Sequence, residues 1–256
     1  MPKADTEPVD IPAALAVALA GARRVAVLTG AGVSAESGVP TFRDAQTGLW
    51  SKFRPEELAT LEAFVRNPQM VWEWYRHRRE KLAAARPNPG HYALAEIERR
   101  VAAFTLVTQN IDGLHATAGS RHFIELHGNI LRNKCFDAGH PAAEADDTVA
   151  LPRCKLCDSL LRPDVVWFGE MLPPGAMEQA SEAARTSEVF LCVGTSAVVY
   201  PAAQLPQIAR AGGAIVVEVN PEPSAVADFA DFTLAAPAGI ALPALVAASW
   251  AGAGRD

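Results

Sequence analysis

The chain has 256 residues and half of them are hydrophobic, which suffices for a buried core in one large domain or in a domain with an inserted module. The formal net charge is −6, which argues against a dedicated nucleic-acid binder, because such a protein displays a basic face. No apolar run is long enough to span a bilayer, and the N-terminus resembles neither a signal peptide nor a transit peptide. We therefore expect a cytoplasmic globular protein with no nucleic-acid or membrane partner.

The hydrophobic pattern predicts alternating helices and strands. Helices are predicted over 11–20, 55–59, 68–86 and 88–101. Strands are predicted over 25–28, 101–108, 123–126, 189–193, 214–219 and 232–234. This alternation predicts an α/β fold with a doubly wound, Rossmann-like parallel sheet.

A change of pattern between 132 and 163 predicts an inserted module, since this segment consists of short polar pieces with cysteine, glycine and proline. We expect the segments 1–44, 86–131 and 164–256 to form the Rossmann-like domain. The segments 45–85 and 132–163 are expected to form a smaller domain, of which the first part is helical.

The stretch after the first predicted strand is typical of a phosphate-binding turn. Gly30-Ala31-Gly32-Val33-Ser34-Ala35 fits a G-x-G-x-x-A pattern, in which glycines let the backbone approach a pyrophosphate and helix amides point at the anion. The alternative is an ordinary strand-to-helix turn. No ribose-binding acid follows at the usual distance of about twenty residues, so another group must hold the ribose.

The loop Gly38-Val39-Pro40-Thr41-Phe42-Arg43-Asp44 continues this motif. Arg43 can neutralise phosphate charge, Phe42 can stack beside a ring, and the loop can close over a cofactor. The alternative is a loop with one solvated arginine.

Polar residues also follow two later strands. Gln109, Asn110 and Asp112 come directly after a strand, at the carboxyl edge where open α/β sheets bind ligands, although turn and N-cap chemistry would also explain them. His127 follows the next strand, and an imidazole titrates in the range that a general base needs. The alternative for His127 is a hydrogen-bonded structural role.

Taken together, these motifs resemble those of the sirtuins, which are NAD-dependent protein deacylases, and the resemblance extends from Val25 to about Ala247. It implies that NAD is consumed as a co-substrate. The implied NAD contacts are Gly30, Ala31, Gly32, Ser34, Phe42, Arg43, Gln109, Asn110, Asp112, Gly194, Thr195, Ser196, Asn220 and Ala238. Asp112 would contact the nicotinamide amide, and Asn220 would hold the adenosine ribose.

The resemblance also implies a reaction sequence with His127 as the general base. The acyl oxygen of a modified lysine attacks C1′ of the nicotinamide ribose and expels nicotinamide. His127 then deprotonates a ribose hydroxyl, and the 2′-hydroxyl attacks the former acyl carbon. Water finally releases free lysine and O-acyl-ADP-ribose.

The stretch Arg162-Pro163-Asp164-Val165-Val166-Trp167-Phe168-Gly169-Glu170 predicts an edge strand that could pair with an extended peptide, the alternative being an ordinary edge strand. The resemblance places Val166, Phe168, Gly169 and Glu170 near the acyl-lysine. Acylated protein or peptide substrates are therefore the expected partners.

The identity of the acyl group is indicated by one predicted helix. Tyr75 and Arg78 are three residues apart, so they share a helix face and can present a hydroxyl and a guanidinium to one carboxylate. The alternative is a solvated basic face together with Arg76 and Arg79. With Leu58-Ala59-Thr60, where Ala59 is a further substrate residue, the pair resembles the desuccinylase and demalonylase subclass. We therefore expect removal of succinyl and malonyl groups, and weaker removal of acetyl groups.

The cysteines suggest a metal site, because disulfides are disfavoured in a reducing compartment. By resemblance, Cys135, Cys154 and Cys157 belong to a structural zinc site in a zinc-ribbon-like module. Cys192 lies in a predicted core strand and is expected to be a small buried hydrophobe.

The fourth zinc ligand is the point of departure from the family. Ala138 stands where the resemblance places a cysteine, which argues against zinc bound in the usual manner. Asp137 and His140 are the candidates for the missing ligand, at a spacing that is not standard.

Three other functions are consistent with parts of this pattern. They are plain deacetylation, mono-ADP-ribosyl transfer, which uses the same electrophilic ribose carbon without Tyr75 and Arg78, and noncatalytic binding of NAD or ADP-ribose. His127 and the predicted peptide strand favour a deacylase. No residue pattern indicates an oligomeric state.

Overall fold

A computed structural model of the chain describes residues 9–39, 55–142 and 149–251. Two of the predicted NAD contacts, Phe42 and Arg43, lie outside the described residues. All other predicted site residues are described.

The largest element is a sheet of six parallel strands in the order β3-β2-β1-β7-β8-β9. The strands are β1 Arg24–Thr29, β2 Ala103–Thr108, β3 Phe123–Glu125, β4 Gly128–Cys135, β5 Pro141–Ala142, β6 Leu161–Val165, β7 Val189–Val193, β8 Ile215–Val219 and β9 Phe232–Leu234. The order of the six parallel strands is the 3-2-1-4-5-6 order of a Rossmann fold. The predicted doubly wound α/β fold is therefore confirmed.

The helices are α1 Ala13–Gly21, α2 Pro55–Leu58, α3 Leu61–Arg66, α4 Pro68–Ala83, α5 Pro89–Arg100, α6 Leu114–Thr117, α7 Ala176–Thr186, α8 Leu205–Ala211 and α9 Ala238–Ser249, with 3₁₀ helices at Ala31–Ser37 and Ala202–Gln204. Local sequence explains where several begin. The side chain of Asn67 caps α4 and that of Thr60 caps α3, each by accepting from a backbone N–H inside the first turn. Helix α4 ends at Ala83, three residues before its predicted end at 86.

Two apolar clusters cover the two faces of the large sheet. Val25 and Val27 of β1 face the cluster built with α1, α5 and α9, whereas Ala26 and Leu28 face the cluster built with α7 and α8. Successive side chains of a strand point to opposite faces, so a central strand covered on both sides reads as a continuous apolar run. Cys192 of β7 is buried in the second cluster, as expected.

A second, antiparallel sheet in the order β5-β4-β6 packs with α2, α3 and α4 around a third apolar cluster. In this cluster Trp72 of α4 donates its ring N–H to the carbonyl of Leu161 at 2.8 Å. Strands β4 and β6 run across the predicted domain limits at 131/132 and 163/164. The domain limits themselves stay a prediction.

The predicted edge strand over 162–170 is shorter in the structure. β6 ends at Val165, and the chain beyond it makes a single bridge between Phe168 and Thr60. None of the helices in the described parts of the chain is long and apolar enough to cross a bilayer.

A glycine at the start of β4 is required by the contact between β4 and β6. Gly128 has φ +75°, and a Cβ there would lie 2.1 Å from the carbonyl oxygen of Asp164. Gly38 has the same φ but has open space where a Cβ would be. We expect Gly38→Ala to cost only backbone strain of about 1–2 kcal/mol. That corresponds to a fall in Tm of about 2–8 °C at this chain size.

Gly128→Ala should lower Tm by more than Gly38→Ala, because the overlap with Asp164 adds to the same backbone strain. Thermal unfolding followed by circular dichroism measures both shifts against wild type. Equal shifts would show that the β4–β6 contact relaxes without cost.

Candidate functional site

Two glycine loops meet at the carboxyl edge of the large sheet, between β1 and β7. The N–H of Gly32 donates to the carbonyl of Gly194 at 2.8 Å, and the N–H of Gly30 donates to that of Val193 at 3.1 Å. A Cβ on Gly32 would lie 2.8 Å from the Cα of Gly194, and one on Gly194 would lie 2.2 Å from the nitrogen of Val33. The glycines therefore let the two loops touch, at the switch point where open α/β sheets bind ligands.

Three polar side chains extend this edge towards β2 and β8. Gln109 donates through Nε2 to Oγ1 of Thr195 at 3.1 Å, and Asn220 donates through Nδ2 to the carbonyl of Thr195 at 2.9 Å. Ser196 follows directly in the chain and is half-buried. Ala238 is buried at the start of α9. The predicted contacts from four separate segments thus share one edge.

A buried polar network lies beneath the 3₁₀ helix that follows β1. Ser34 donates through Oγ to Oδ2 of Asp112 at 2.7 Å and accepts from Nδ2 of Asn110 at 3.1 Å. Burial raises the pKa of Asp112, opposed by the hydrogen bonds from the N–H of Leu114 and from Ser34. Three of the predicted NAD contacts are therefore held in one network.

Two histidines that the sequence analysis did not single out belong to the same network. The N–H of Asn88 donates to Nδ1 of His91 at 3.3 Å, so Nε2 of His91 carries the proton and faces Oγ of Ser34 at 3.3 Å. Nε2 of His115 lies 3.0 Å from Oγ1 of Thr29. The two rings stack with centroids 4.8 Å apart.

Both imidazoles are neutral at physiological pH. Burial lowers the pKa of His91 to about 4, and burial together with the nearby His91 lowers the pKa of His115 to about 3. The signal for His91 was available in the sequence, since Asn88 stands three residues before it in a capping-box arrangement at the start of α5. No comparable local pattern marks His115.

His127, the predicted general base, is half-buried at the turn between β3 and β4. Its Nδ1 lies 2.9 Å from the carbonyl of Gln109, and since a carbonyl only accepts, Nδ1 carries the proton. Nε2 is therefore the atom with a free lone pair. Burial lowers the pKa of His127 and the hydrogen bond to Gln109 opposes that shift.

The predicted substrate segment continues from β6 past His127. The N–H of Val166 donates to the carbonyl of His127 and the N–H of Phe168 donates to the carbonyl of Ala59, both at 2.9 Å. The ring of Phe168 is half exposed. Gly169 has φ +85°, a left-handed conformation that favours glycine.

The carboxylate of Glu170 forms hydrogen bonds within the segment 162–170. Its Oε2 accepts from Nη2 of Arg162 at 2.9 Å and from the N–H of Trp167 at 2.8 Å. Burial by itself would raise the pKa of Glu170, but these hydrogen bonds hold that pKa below its usual value. In the structure the Glu170 carboxylate therefore holds the loop together.

The predicted acyl pair lies on α4 as the spacing indicated. The Tyr75 ring is 1% exposed, and burial raises the pKa of its hydroxyl to about 12. The guanidinium of Arg78 is half-buried over the rings of Trp74 and Tyr75, with its Cζ 4.9 Å and 5.9 Å from their centroids. Burial lowers the pKa of Arg78, which stays cationic.

The alternative of a uniformly solvated basic face is not what the structure contains. Arg76 donates to the carbonyls of Val149 and Ala150, the latter at 2.9 Å. Arg79 donates to the carbonyl of Ile130 at 2.7 Å, and also to the side chain of Asn133. Both are anchored to the small antiparallel sheet and the loop beside it.

Four side chains of the antiparallel sheet could hold a metal ion. The ligand atoms of Cys135, His140, Cys154 and Cys157 all lie within 4.8 Å of one another. Sγ of Cys135 is 3.3 Å from Sγ of Cys157, and Sγ of Cys154 is 3.7 Å from Nδ1 of His140. These distances fit tetrahedral zinc, in which Zn–S bonds of about 2.3 Å separate sulfurs by roughly 3.8 Å.

His140 thus takes the place of the missing cysteine, and Asp137 does not join this cluster. The reason is the turn between β4 and β5, where the N–H of Cys135 donates to the carbonyl of His140 at 2.8 Å. This turn brings an imidazole to the three thiols from a spacing that no standard motif contains. A Cys₃His set is a structural zinc ligand set.

We expect His140→Ala to lose zinc and Asp137→Ala to keep it. Zinc per chain after gel filtration, measured by mass spectrometry of the metal, should be near one in wild type and Asp137→Ala. His140→Cys should keep zinc, and chelation should lower the Tm of wild type because metal binding stabilises the folded chain. Equal zinc in wild type and His140→Ala would contradict the assignment of the fourth ligand.

Known proteins share both the sequence and the architecture of this chain. A profile of the Sir2 family matches residues 30–201. An NAD-dependent protein deacylase of Ralstonia nicotianae is 54% identical over 227 residues, which are 88% of this chain and 92% of that protein. An NAD-dependent protein deacylase of Thermus thermophilus is 54% identical over 217 residues, which are 83% of this chain and 85% of that protein.

Solved structures agree with this relationship. A Sir2 homologue in complex with NAD superimposes with a TM-score of 0.87 at 43% identity, over 94% of each chain. A Sir2 structure with p53 peptide and NAD⁺ superimposes with a TM-score of 0.78 at 31% identity, over 88% of this chain and 93% of that one. The resemblance drawn from the motifs is confirmed, and this chain belongs to the Sir2 family.

Proposed function

We propose that this chain is an NAD-dependent protein-lysine deacylase that removes succinyl and malonyl groups, and acetyl groups more weakly. Relatives that share about half of its residues are named NAD-dependent protein deacylases, which supports the general activity. The observation that carries the acidic-acyl preference is the half-buried guanidinium of Arg78, which lies over the rings of Trp74 and Tyr75 on the same helix.

The residues at the sheet edge suit NAD. The two loops that meet at this edge carry glycines in place of larger side chains, and the side-chain amides of Gln109 and Asn220 lie beside Thr195 at the same edge, where they can face ribose hydroxyls. When bound, NAD supplies an electrophilic carbon at its nicotinamide ribose. On this proposal Asp112, already fixed by Ser34, recognises the carboxamide of nicotinamide.

His127 acts as the base through Nε2. Its Nδ1–H is held by the carbonyl of Gln109, which fixes both the tautomer and the ring orientation. The lowered pKa keeps the imidazole neutral at physiological pH, so it can accept a proton from a ribose hydroxyl. The acylated peptide would lie along the segment 166–170, which begins on the carbonyl of His127.

The acyl preference follows from unused hydrogen-bond donors. Among the described residues, no oxygen accepts a hydrogen bond from the guanidinium of Arg78, whose Cζ lies over the rings of Trp74 and Tyr75. A carboxylate at the end of a succinyl or malonyl tail would supply that acceptor, and a charge-assisted bond contributes about 1.5–3 kcal/mol. An acetyl group offers no such acceptor.

Arg78→Met should therefore lower kcat/KM for a succinyl-lysine peptide by about 10- to 150-fold, which is the loss of that bond. The acetyl form of the same peptide should change little. NAD-dependent deacylation followed by mass spectrometry measures both, with the malonyl form alongside. Arg76→Met is the matched control, because it removes the same charge from the same helix but leaves Arg78 in place.

The control variant should keep the wild-type ratio of succinyl to acetyl activity. A wild-type enzyme that prefers acetyl, together with an unchanged Arg78→Met variant, would make this chain a plain deacetylase. If Arg76→Met also lost its preference for succinyl over acetyl, the effect of Arg78→Met would be explained by the loss of one positive charge from α4 and not by a specific contact with the acyl carboxylate.

His127→Ala should lower turnover of every acyl peptide by about 10²- to 10⁴-fold, because the general base is lost, while binding of NAD is retained. Nicotinamide release and binding of NAD by calorimetry separate the two effects. Full turnover in His127→Ala would overturn the role of this histidine. A wild-type protein that binds NAD but removes no acyl group would instead be a transferase of ADP-ribose or a binding module.

A further inference from the structure

Trp167 connects the proposed peptide segment to the proposed acyl pocket. It lies two residues after the end of β6 and its ring is 2% exposed. Its Nε1–H donates to the hydroxyl oxygen of Tyr75 at 2.9 Å. Its neighbours in the chain, Val166 and Phe168, belong to the proposed peptide segment. A change in the position of the indole would therefore affect both that segment and Tyr75.

The direction of this hydrogen bond determines what the Tyr75 hydroxyl can do. An indole nitrogen only donates, so it occupies a lone pair of the phenol oxygen and leaves the phenol proton for another acceptor. Of the charged groups that act on Tyr75, Arg78 and Arg162 cannot accept that proton, and the carboxylate of Glu170 accepts instead from Arg162 and from the N–H of Trp167. In the described part of the chain, no acceptor takes it. Burial keeps the hydroxyl protonated, so Tyr75 remains a donor throughout the physiological range.

The indole is held from two sides. The guanidinium of Arg162 stacks on it with Cζ 3.3 Å from the ring centroid, and Arg162 is itself 3% exposed and bonded to the carbonyl of Val165 at 2.7 Å. The carboxylate of Glu170 accepts both from Arg162 and from the backbone N–H of Trp167. A ring fixed by stacking, by an ion pair and by its own backbone keeps one orientation.

We propose that Trp167 is a positioning residue for acyl selectivity, which turns the hydroxyl of Tyr75 into a donor that acts with Arg78 on the carboxylate of the acyl tail. Trp167 itself touches no reacting atom. The inference rests on the proposed preference for succinyl and malonyl groups, and it assigns part of that preference to a residue outside α4.

The test is a double-mutant cycle of Trp167→Phe and Tyr75→Phe, read as kcat/KM for succinyl and acetyl forms of one peptide. Tyr75→Phe removes only the hydroxyl oxygen, whereas Trp167→Phe removes the indole N–H together with part of the ring, so the second variant needs a control for lost ring volume. Each single variant should lower the succinyl-to-acetyl ratio by about 3- to 10-fold, the effect of one neutral hydrogen bond. The double variant should lower it no further than the larger single effect, because both remove the same interaction. The loss should appear mainly in KM for the succinyl peptide.

Phe64→Leu is the control for simple loosening of the core. The ring centroid of Phe64 lies 5.3 Å from that of Trp167, and a phenyl ring has no donor or acceptor to exchange with Tyr75. The variant should therefore change succinyl and acetyl activity by the same factor. Equal loss of both activities in Trp167→Phe, or multiplying effects in the double variant, would overturn the role of Trp167.

Two further outcomes are distinguishable from these. If wild type does not prefer succinyl or malonyl to acetyl, the proposed function fails and the role of Trp167 fails with it. If Trp167→Phe does not fold, Trp167→Leu takes its place, since it also lacks the N–H donor: a fall of about 3- to 10-fold in the succinyl-to-acetyl ratio supports the proposal, and equal loss of both activities overturns it.

Discussion

The close contact between the loops after β1 and β7 is the constraint on which the rest of the site depends. It brings Gly32 within hydrogen-bonding distance of Gly194, and this is sterically feasible only without Cβ atoms at these positions. From there the site extends in both directions along the sheet edge, to Thr195 and Asn220 on one side and to Gln109 on the other. The backbone of Gln109 then fixes His127, whose own carbonyl begins the substrate segment. The proposed cofactor edge, the proposed base His127 and the proposed peptide segment are thus joined through successive hydrogen bonds.

A buried polar network lies beneath this edge. Ser34, Asn110 and Asp112 satisfy one another in the interior, and the neutral His91 and His115 pack beside them. Buried polar groups are stabilising only when they are paired, so each member of the network fixes the rotamer of the next. The cost is sensitivity to acid, since both imidazoles have pKa values below that of a free histidine. Below about pH 6.5 these two histidines bind protons in the unfolded chain but stay neutral in the folded chain. The free energy of unfolding therefore falls progressively as the pH drops towards 4 for His91 and 3 for His115.

Much of the fold and of the site could be predicted where the physical signal is local. The apolar runs around Val27 and Leu191 predicted the parallel strands, and the glycine motif at Gly30 lies where the loops after β1 and β7 meet. Contacts that join distant segments were harder to predict. The spacing of Tyr75 and Arg78 indicated a shared face, but only the fold places Trp167 against that face. His140 was one of two candidates for the metal cluster, and the turn between β4 and β5 decided between them. The sequence predicted Arg162 only as part of a strand. Its stacking on the indole of Trp167 was not predicted, because no local pattern indicates that a buried guanidinium will contact that ring.

The three apolar clusters have a consequence for how the molecule opens. Two of them share the six-stranded sheet, whereas the third contains Trp72, Trp74 and Trp167 together with Cys135 and Cys154. Local opening of a protein proceeds in cooperative units that follow such packing. Cys135 and Cys154, Tyr75 and Trp167 therefore belong to one unit, and the strands that carry the glycine loops to another. In hydrogen exchange, amides of β4 and β6 should share one opening free energy that differs from that of β1 and β7. The stability of the proposed acyl pocket could then change without a change in the stability of the proposed dinucleotide edge.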